Sequence, residues 1–254
     1  MESRRRRPLV VDEERLLDVL AQAQAQGFLG AHVPLIDHLA NGFGFTDIIT
    51  RERTATVVDL GSGGGVPALV IAAAIPTVRI TLVERGTKRA RFLVDAVHAL
   101  ELESRVEVIA DDAEVAARHP RFTEQTDVVT ARSFGPPAVT AEAACRFLRV
   151  GGRLIVSEPP RDADVANDEA PDATCRPKSI DLGLAADRSQ RWPESRLAPT
   201  GLVPTDRVQL GGSNFQVLHR RGSIESQLPR RSATTRKRPL FTVTSPPDHD
   251  PSPP

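Results

Sequence analysis

Only two cysteines, Cys145 and Cys175, occur among 254 residues. Two thiols without metal-ligand spacing exclude a disulfide-stapled scaffold and a zinc module, and they suit a reduced, cytoplasmic setting. No apolar run approaches the ~18 residues of a spanning helix, so no membrane association is expected. The six histidines are scattered and suggest no metal site. The basic head Arg4–Arg7 runs into Asp12, Glu13 and Glu14 rather than an apolar stretch, unlike a secretory leader. Formal net charge is zero, with 33 basic and 33 acidic residues, but the distribution is uneven. Arg220, Arg221, Arg230, Arg231, Arg236, Lys237 and Arg238 form a basic tail interrupted by Glu225.

Two nucleotide motifs are also missing. The phosphate-cradling pattern G-x-x-x-x-G-K-[ST] does not occur. A dinucleotide fingerprint counted from Gly61 through Gly63 meets the branched Val66 where a small residue is needed. What is present is Val57-Val58-Asp59-Leu60-Gly61-Ser62-Gly63-Gly64-Gly65-Val66-Pro67. It reads as a buried strand ending in an acid, a glycine-rich turn, and a helix opening at proline. Glycines allow a tight turn and close approach of backbone to ligand, and a helix start offers unpaired N–H groups. The D-x-G-x-G-x-G spacing is that of class I S-adenosylmethionine (SAM) methyltransferases.

The following residues extend the pattern. Arg79–Glu84 reads as a second strand tipped by Glu84, a carboxylate suited to two ribose hydroxyls. Further strands are expected at Val106–Ile109, leading to Asp112, Ala113 and Glu114, at Asp127–Ala131, leading to Arg132, and at Arg153–Ser157. Between them, Ala90, Leu93, Val94, Val97 and Leu100 fall at helical spacing after a cap at Thr87. Ala141, Ala144, Cys145 and Leu148 do so before Gly151 at the C′ position. Earlier, helices are expected from Leu16 to Gln26 and from Pro34 to Gly42. Val203–Leu210 and Asn214–His219 form a hairpin turning at Gly211-Gly212. The expected fold is α/β: a Rossmann-like, doubly wound, mostly parallel sheet with N-terminal helices and a C-terminal antiparallel hairpin. Its expected parts are an N-terminal helical lid with a disordered basic head over 1–53, a methyltransferase domain over 54–220 with 159–200 as loop or insertion, and a basic tail with a disordered proline-rich end over 221–254.

These residues resemble the bacterial 16S ribosomal RNA guanine-N7 methyltransferases, the glucose-inhibited division protein B family. The likeness covers about 57–158, including Lys88-Arg89, Phe92-Leu93 and Ala131-Arg132-Ser133. It returns at Leu228-Pro229-Arg230-Arg231 and Lys237-Arg238-Pro239-Leu240. It implies SAM as cofactor, with contacts at Gly61 and Val66, adenosine contacts at Ala113 and Glu114, and Arg132 at the methionine end or the substrate entrance. With Gly63, Glu84 and Asp112 from the strand tips, these are the candidate cofactor residues, and Arg132 is the candidate catalytic one. The resemblance further implies ribosomal RNA or the small ribosomal subunit as partner, with Arg230, Arg231, Lys237 and Arg238 on phosphates. Phe134 is open between stacking on an extruded base and core packing. The chain departs from the family at Ser157-Glu158-Pro159-Pro160, where a lysine-glycine is usual, and at Asp112, where an arginine is common. Two other readings remain: a small-molecule SAM methyltransferase, and a SAM- or RNA-binding paralogue without turnover. None of these signals encodes an oligomeric state.

Overall fold

A computed structural model describes residues 9–159 and 191–242. The Arg4–Arg7 head, most of the expected 159–200 insertion and the proline-rich end lie outside the described residues. Helix α1 (Glu13–Ala25) starts where Asp12 accepts hydrogen bonds from the Glu14 and Arg15 N–H groups, the N-cap arrangement that an aspartate before an acidic first turn favours. Helix α2 (Leu35–Ile49) runs a full two turns beyond the expected end at Gly42. Gly42 and Gly44 do not stop it; there a Cβ would collide with Val70 and with the Phe215 ring, so both glycines serve close packing. Phe45 then meets Phe215 edge to face with ring centroids 4.9 Å apart.

From there strands and helices alternate: β1 (Thr56–Leu60), α3 (Ala68–Ala74), β2 (Arg79–Val83), α4 (Thr87–Ala99), β3 (Val106–Ile109), α5 (Ala113–Ala116), β4 (Thr126–Arg132), α6 (Pro137–Cys145) and β5 (Leu148–Glu158). Helix α7 (Glu194–Leu197), a 3₁₀ turn, the strands β6 (Leu202–Leu210) and β7 (Ser213–Arg220), and helix α8 (Ser232–Lys237) follow. The strands form one seven-stranded sheet in the order β3-β2-β1-β4-β5-β7-β6. The first five are parallel, and β7 joins β5 antiparallel. The hairpin turns at Gly211 and Gly212, both with positive φ, as the two-residue loop between paired Leu210 and Ser213 requires.

Alternate residues of each strand feed opposite faces. Val57, Ile80, Leu82, Val128 and Ile155 share a core with α1, α2, α3 and α4. Val58, Val83, Val129, Leu154 and Leu218 share the other with α5, α6, Trp192 and the C-terminal Leu228 and Phe241. The N-terminal helices thus belong to a packing layer of the sheet itself. Two local expectations are corrected. Thr87 is the first residue of α4 rather than its cap, a position held by Gly86. Leu148 and Gly151 do not continue α6: the helix ends at Cys145, Leu148 opens β5, and Gly151 sits inside that strand at φ +79°. The β4–β5 register shifts there, so the glycines mark a bulge, and a Cβ at Gly152 would press on the Thr126 and Asp127 carbonyls.

Candidate active site

The order of strands reverses direction beside β1, and ligand sites in such sheets gather at the carboxyl ends of the strands flanking that point. Beneath the glycine turn, Asp59 is 1% exposed. Its Oδ1 accepts a 2.7 Å hydrogen bond from Thr130 Oγ1, while Oδ2 has no partner. Burial pushes the Asp59 carboxyl up to about 6, with Thr130 and the charge of Arg132 opposing. Gly61 follows at φ +62°, held by its N–H to the Val83 carbonyl at 2.8 Å. A Cβ at Gly61 would stand 2.8 Å from the Phe134 ring.

Glu84, at the tip of β2, is 2% exposed. Its Oε2 accepts from the Gly63 N–H at 3.0 Å and its Oε1 from the Gly86 N–H at 2.8 Å, with Arg89 at 3.5 Å. The carboxylate therefore ties the glycine turn to the next loop, and each oxygen keeps a second acceptor position for a hydroxyl. Gly61, Glu84, Asp112, Ala113 and Glu114 line one cavity of about 230 Å³. Burial and the nearby Asp112 raise the Glu114 carboxyl above its ordinary range, with Arg236 opposing. Gly63 contributes through its bond to Glu84. Val66 instead packs in the apolar core with Leu69 and Leu93.

Arg132 ends β4 and lines a second cavity of about 430 Å³, together with Asn41, Ser157 and Trp192. Its guanidinium approaches His38 Nδ1 at 2.6 Å, and His38 Nε2 faces the Gly30 carbonyl at 3.4 Å. Burial and Arg132 hold the His38 imidazole below its ordinary value, with Gly30 and Asp37 opposing, so it stays neutral and accepts from the arginine. Ser133 turns the chain at φ +54°, a conformation that costs a side-chain-bearing residue, and carries Phe134 across the glycine turn. Ser133 and Phe134 line both cavities, which adjoin there.

Of the expected basic contacts, Arg231, Lys237 and Arg238 are exposed. Arg230 is engaged by the buried Glu142, to which it donates from Nε at 2.8 Å and Nη2 at 2.6 Å. Sequence reasoning gave His38 no role and passed over Ser232 and Arg236, which line the smaller cavity. At the divergent Ser157-Glu158 segment, Glu158 is buried, accepts from Trp192 Nε1 at 3.1 Å and pairs with Arg191. Among the described residues no cluster of His, Cys, Asp or Glu could hold a metal, and no helix is long and apolar enough to cross a membrane.

The sequence model of the family described as rRNA small subunit methyltransferase G matches residues 33–175. Proteins named ribosomal RNA small subunit methyltransferase G are similar to this chain. That of Leuconostoc citreum is 37% identical over 106 residues, 42% of this chain and 44% of the relative. That of Salinispora arenicola is 41% identical over 120 residues, 46% and 49% respectively. The match with Caldicellulosiruptor bescii reaches 153 residues, 59% and 61%, at 29% identity. The chain thus spans about half the length of the first curated relatives it matches. Among solved structures, an O-methyltransferase from Bacillus cereus in complex with SAH has TM-score 0.56 at 15% identity, covering 83% of this chain and 93% of that one. TomG from Streptomyces achromogenes, in complex with SAM, has TM-score 0.55 at 18% identity, covering 84% and 93%. These likenesses show the class I methyltransferase fold.

Proposed function

Because the chain belongs to the rRNA small subunit methyltransferase G family, we propose that it is a SAM-dependent methyltransferase acting on guanine N7 in 16S ribosomal RNA. The observation that carries this reading is the pair of adjoining cavities that share Ser133 and Phe134 in their linings. One suits the adenosine part of the donor and the other a base, so donor and acceptor are held side by side. The chain's own groups fit the donor. Gly61 leaves no room for a side chain, and Glu84 offers acceptor positions for ribose hydroxyls.

SAM, when bound, supplies an electrophilic methyl group. Guanine N7 holds an in-plane lone pair and no proton, so its methylation requires no general base, and alignment carries the rate. Phe134 offers a face on which an extruded base stacks. Arg132, fixed by His38, orients the acceptor at the cavity mouth. Arg231, Lys237 and Arg238 engage phosphates and make binding salt-dependent.

The deciding experiment maps N7-methylguanine in small-subunit RNA from cells with and without the gene, and then supplies the purified chain and labelled SAM to subunits lacking the mark. Restoration at one guanine is the expected result. The 430 Å³ volume of the acceptor cavity also falls within the small-molecule range. Label entering a metabolite extract but neither RNA nor subunits would establish that second reading instead.

A further inference from the structure

Resting on the methyl-donor reading above, we infer that the C-terminal segment supplies a wall of the donor cavity and that Arg236 is a donor-binding residue. Ser232 and Arg236 stand four residues apart on α8, hence on one face of the helix. That face lines the same cavity as Gly61, Glu84 and Asp112.

The segment is held in place by groups far away in the chain. Glu142, fully buried on α6, accepts from the Arg230 backbone N–H at 2.8 Å, from the Arg230 guanidinium at two positions, and from Thr235 Oγ1 at 3.2 Å. Arg118 donates to the Gln227 carbonyl at 2.6 Å and to the Pro229 carbonyl at 2.9 Å, and Arg146 donates to Leu228 and Glu225. Leu228 and Phe241 bury their side chains in the sheet's core. A surface tail has no such attachments, whereas a wall that must keep its position needs them.

The chemistry of the cavity explains what the wall adds. Glu84, Asp112 and Glu114 only accept hydrogen bonds when ionised, which suits ribose hydroxyls and an exocyclic amine. The ring nitrogens of adenine are acceptors and its faces attract cations, so they call for a donor with a planar cationic head. Arg89 is drawn to Glu84 and Arg85 lies 3.9 Å from Asp112. Arg236 lines the cavity from the segment's side, and its charge acts on the Glu114 carboxyl.

The test is calorimetric titration of the full chain with SAM and with S-adenosylhomocysteine. Arg236→Ala should raise both dissociation constants by about tenfold or more, the scale of a charged hydrogen bond. Arg236→Lys should recover part of the loss, and Arg91→Ala, an exposed arginine on α4, should bind as the unaltered chain does. Glu142→Gln should loosen the segment, seen as faster amide exchange over 228–240, and weaken the donor in parallel. If Arg236→Ala keeps full affinity while Gly61→Val abolishes binding, the segment is no part of the site and the methyl-donor reading survives. If the unaltered chain binds neither compound, both fall. Should Glu142→Gln fail to fold, the Arg236 variants decide alone.

Discussion

Asp59 lies under the glycine turn as a buried carboxylate with one partnered oxygen and one bare one. An acid whose value rises from 3.8 to about 6 on folding binds more protons folded than unfolded across that window. Its ionised form therefore costs stability above pH 6, and the cost fades as pH falls toward 4. Asp59→Asn should raise stability at pH 8 by about 2 kcal/mol, the order set by two pKa units less the new amide's needs, and should remove that slope between pH 4 and 6. Urea unfolding across pH measures both. His38 acts with the opposite sign. Held below 6.5 when folded, it withdraws stability as pH drops beneath that value, because the unfolded chain takes the proton first. Gly61 is constrained twice, by φ +62° and by the Phe134 ring. Gly61→Ala should cost about 1–2 kcal/mol of stability from the left-handed backbone alone and strongly weaken SAM binding. Calorimetry beside a thermal melt separates the two effects.

At the scale of elements, strands β1 to β5 and the closing hairpin were legible because short apolar runs and a double-glycine turn are local signals. Gly151 misled for the same reason: after Ala141, Ala144 and Cys145 a glycine looks like a helix terminator, yet the chain has already turned into β5. The end of α2 was missed because its glycines resemble stops, whereas their role is to admit Val70 and Phe215 from elsewhere in the fold. The departure at Ser157-Glu158 gained meaning only with Trp192, 34 residues on, whose indole N–H meets Glu158. That contact ties the stretch ahead of the short helix α7 to the end of β5. Trp192→Ala should lower stability by about 3–5 kcal/mol, by emptying a large buried site and leaving Glu158 with less support. Trp192→Phe should recover most of the packing part; denaturant midpoints distinguish them.

Across the whole molecule, what was readable of the candidate site and what was not divides by distance along the chain. Gly61, Glu84, Asp112, Ala113 and Glu114 follow strand ends within one alternating pattern, so a reader of local sequence meets them in order. Arg236 and Ser232 come to the same cavity through Glu142, Arg118 and Arg146, which are 79 to 111 residues from the atoms they hold. No local signal encodes such a pairing. Arg231, Lys237 and Arg238 are exposed on the tail, where the proposed RNA contact falls to them. Replacing all three by alanine should weaken RNA binding at low salt and reduce the salt slope by about 0.7 for each phosphate no longer neutralised, as for a single strand. Filter binding between low and moderate salt reads the slope; an unchanged value would show those side chains facing only water.

A nascent polypeptide leaves the ribosome with its N-terminus first, so the glycine turn emerges long before Ser232 and Arg236. Every strand of the sheet can be in place while the cavity beside Glu114 still lacks its last side. Truncation by a premature stop near codon 225 would accordingly yield a chain with its complete sheet but a cleft open to solvent, competent to fold in outline and poor at retaining a nucleoside.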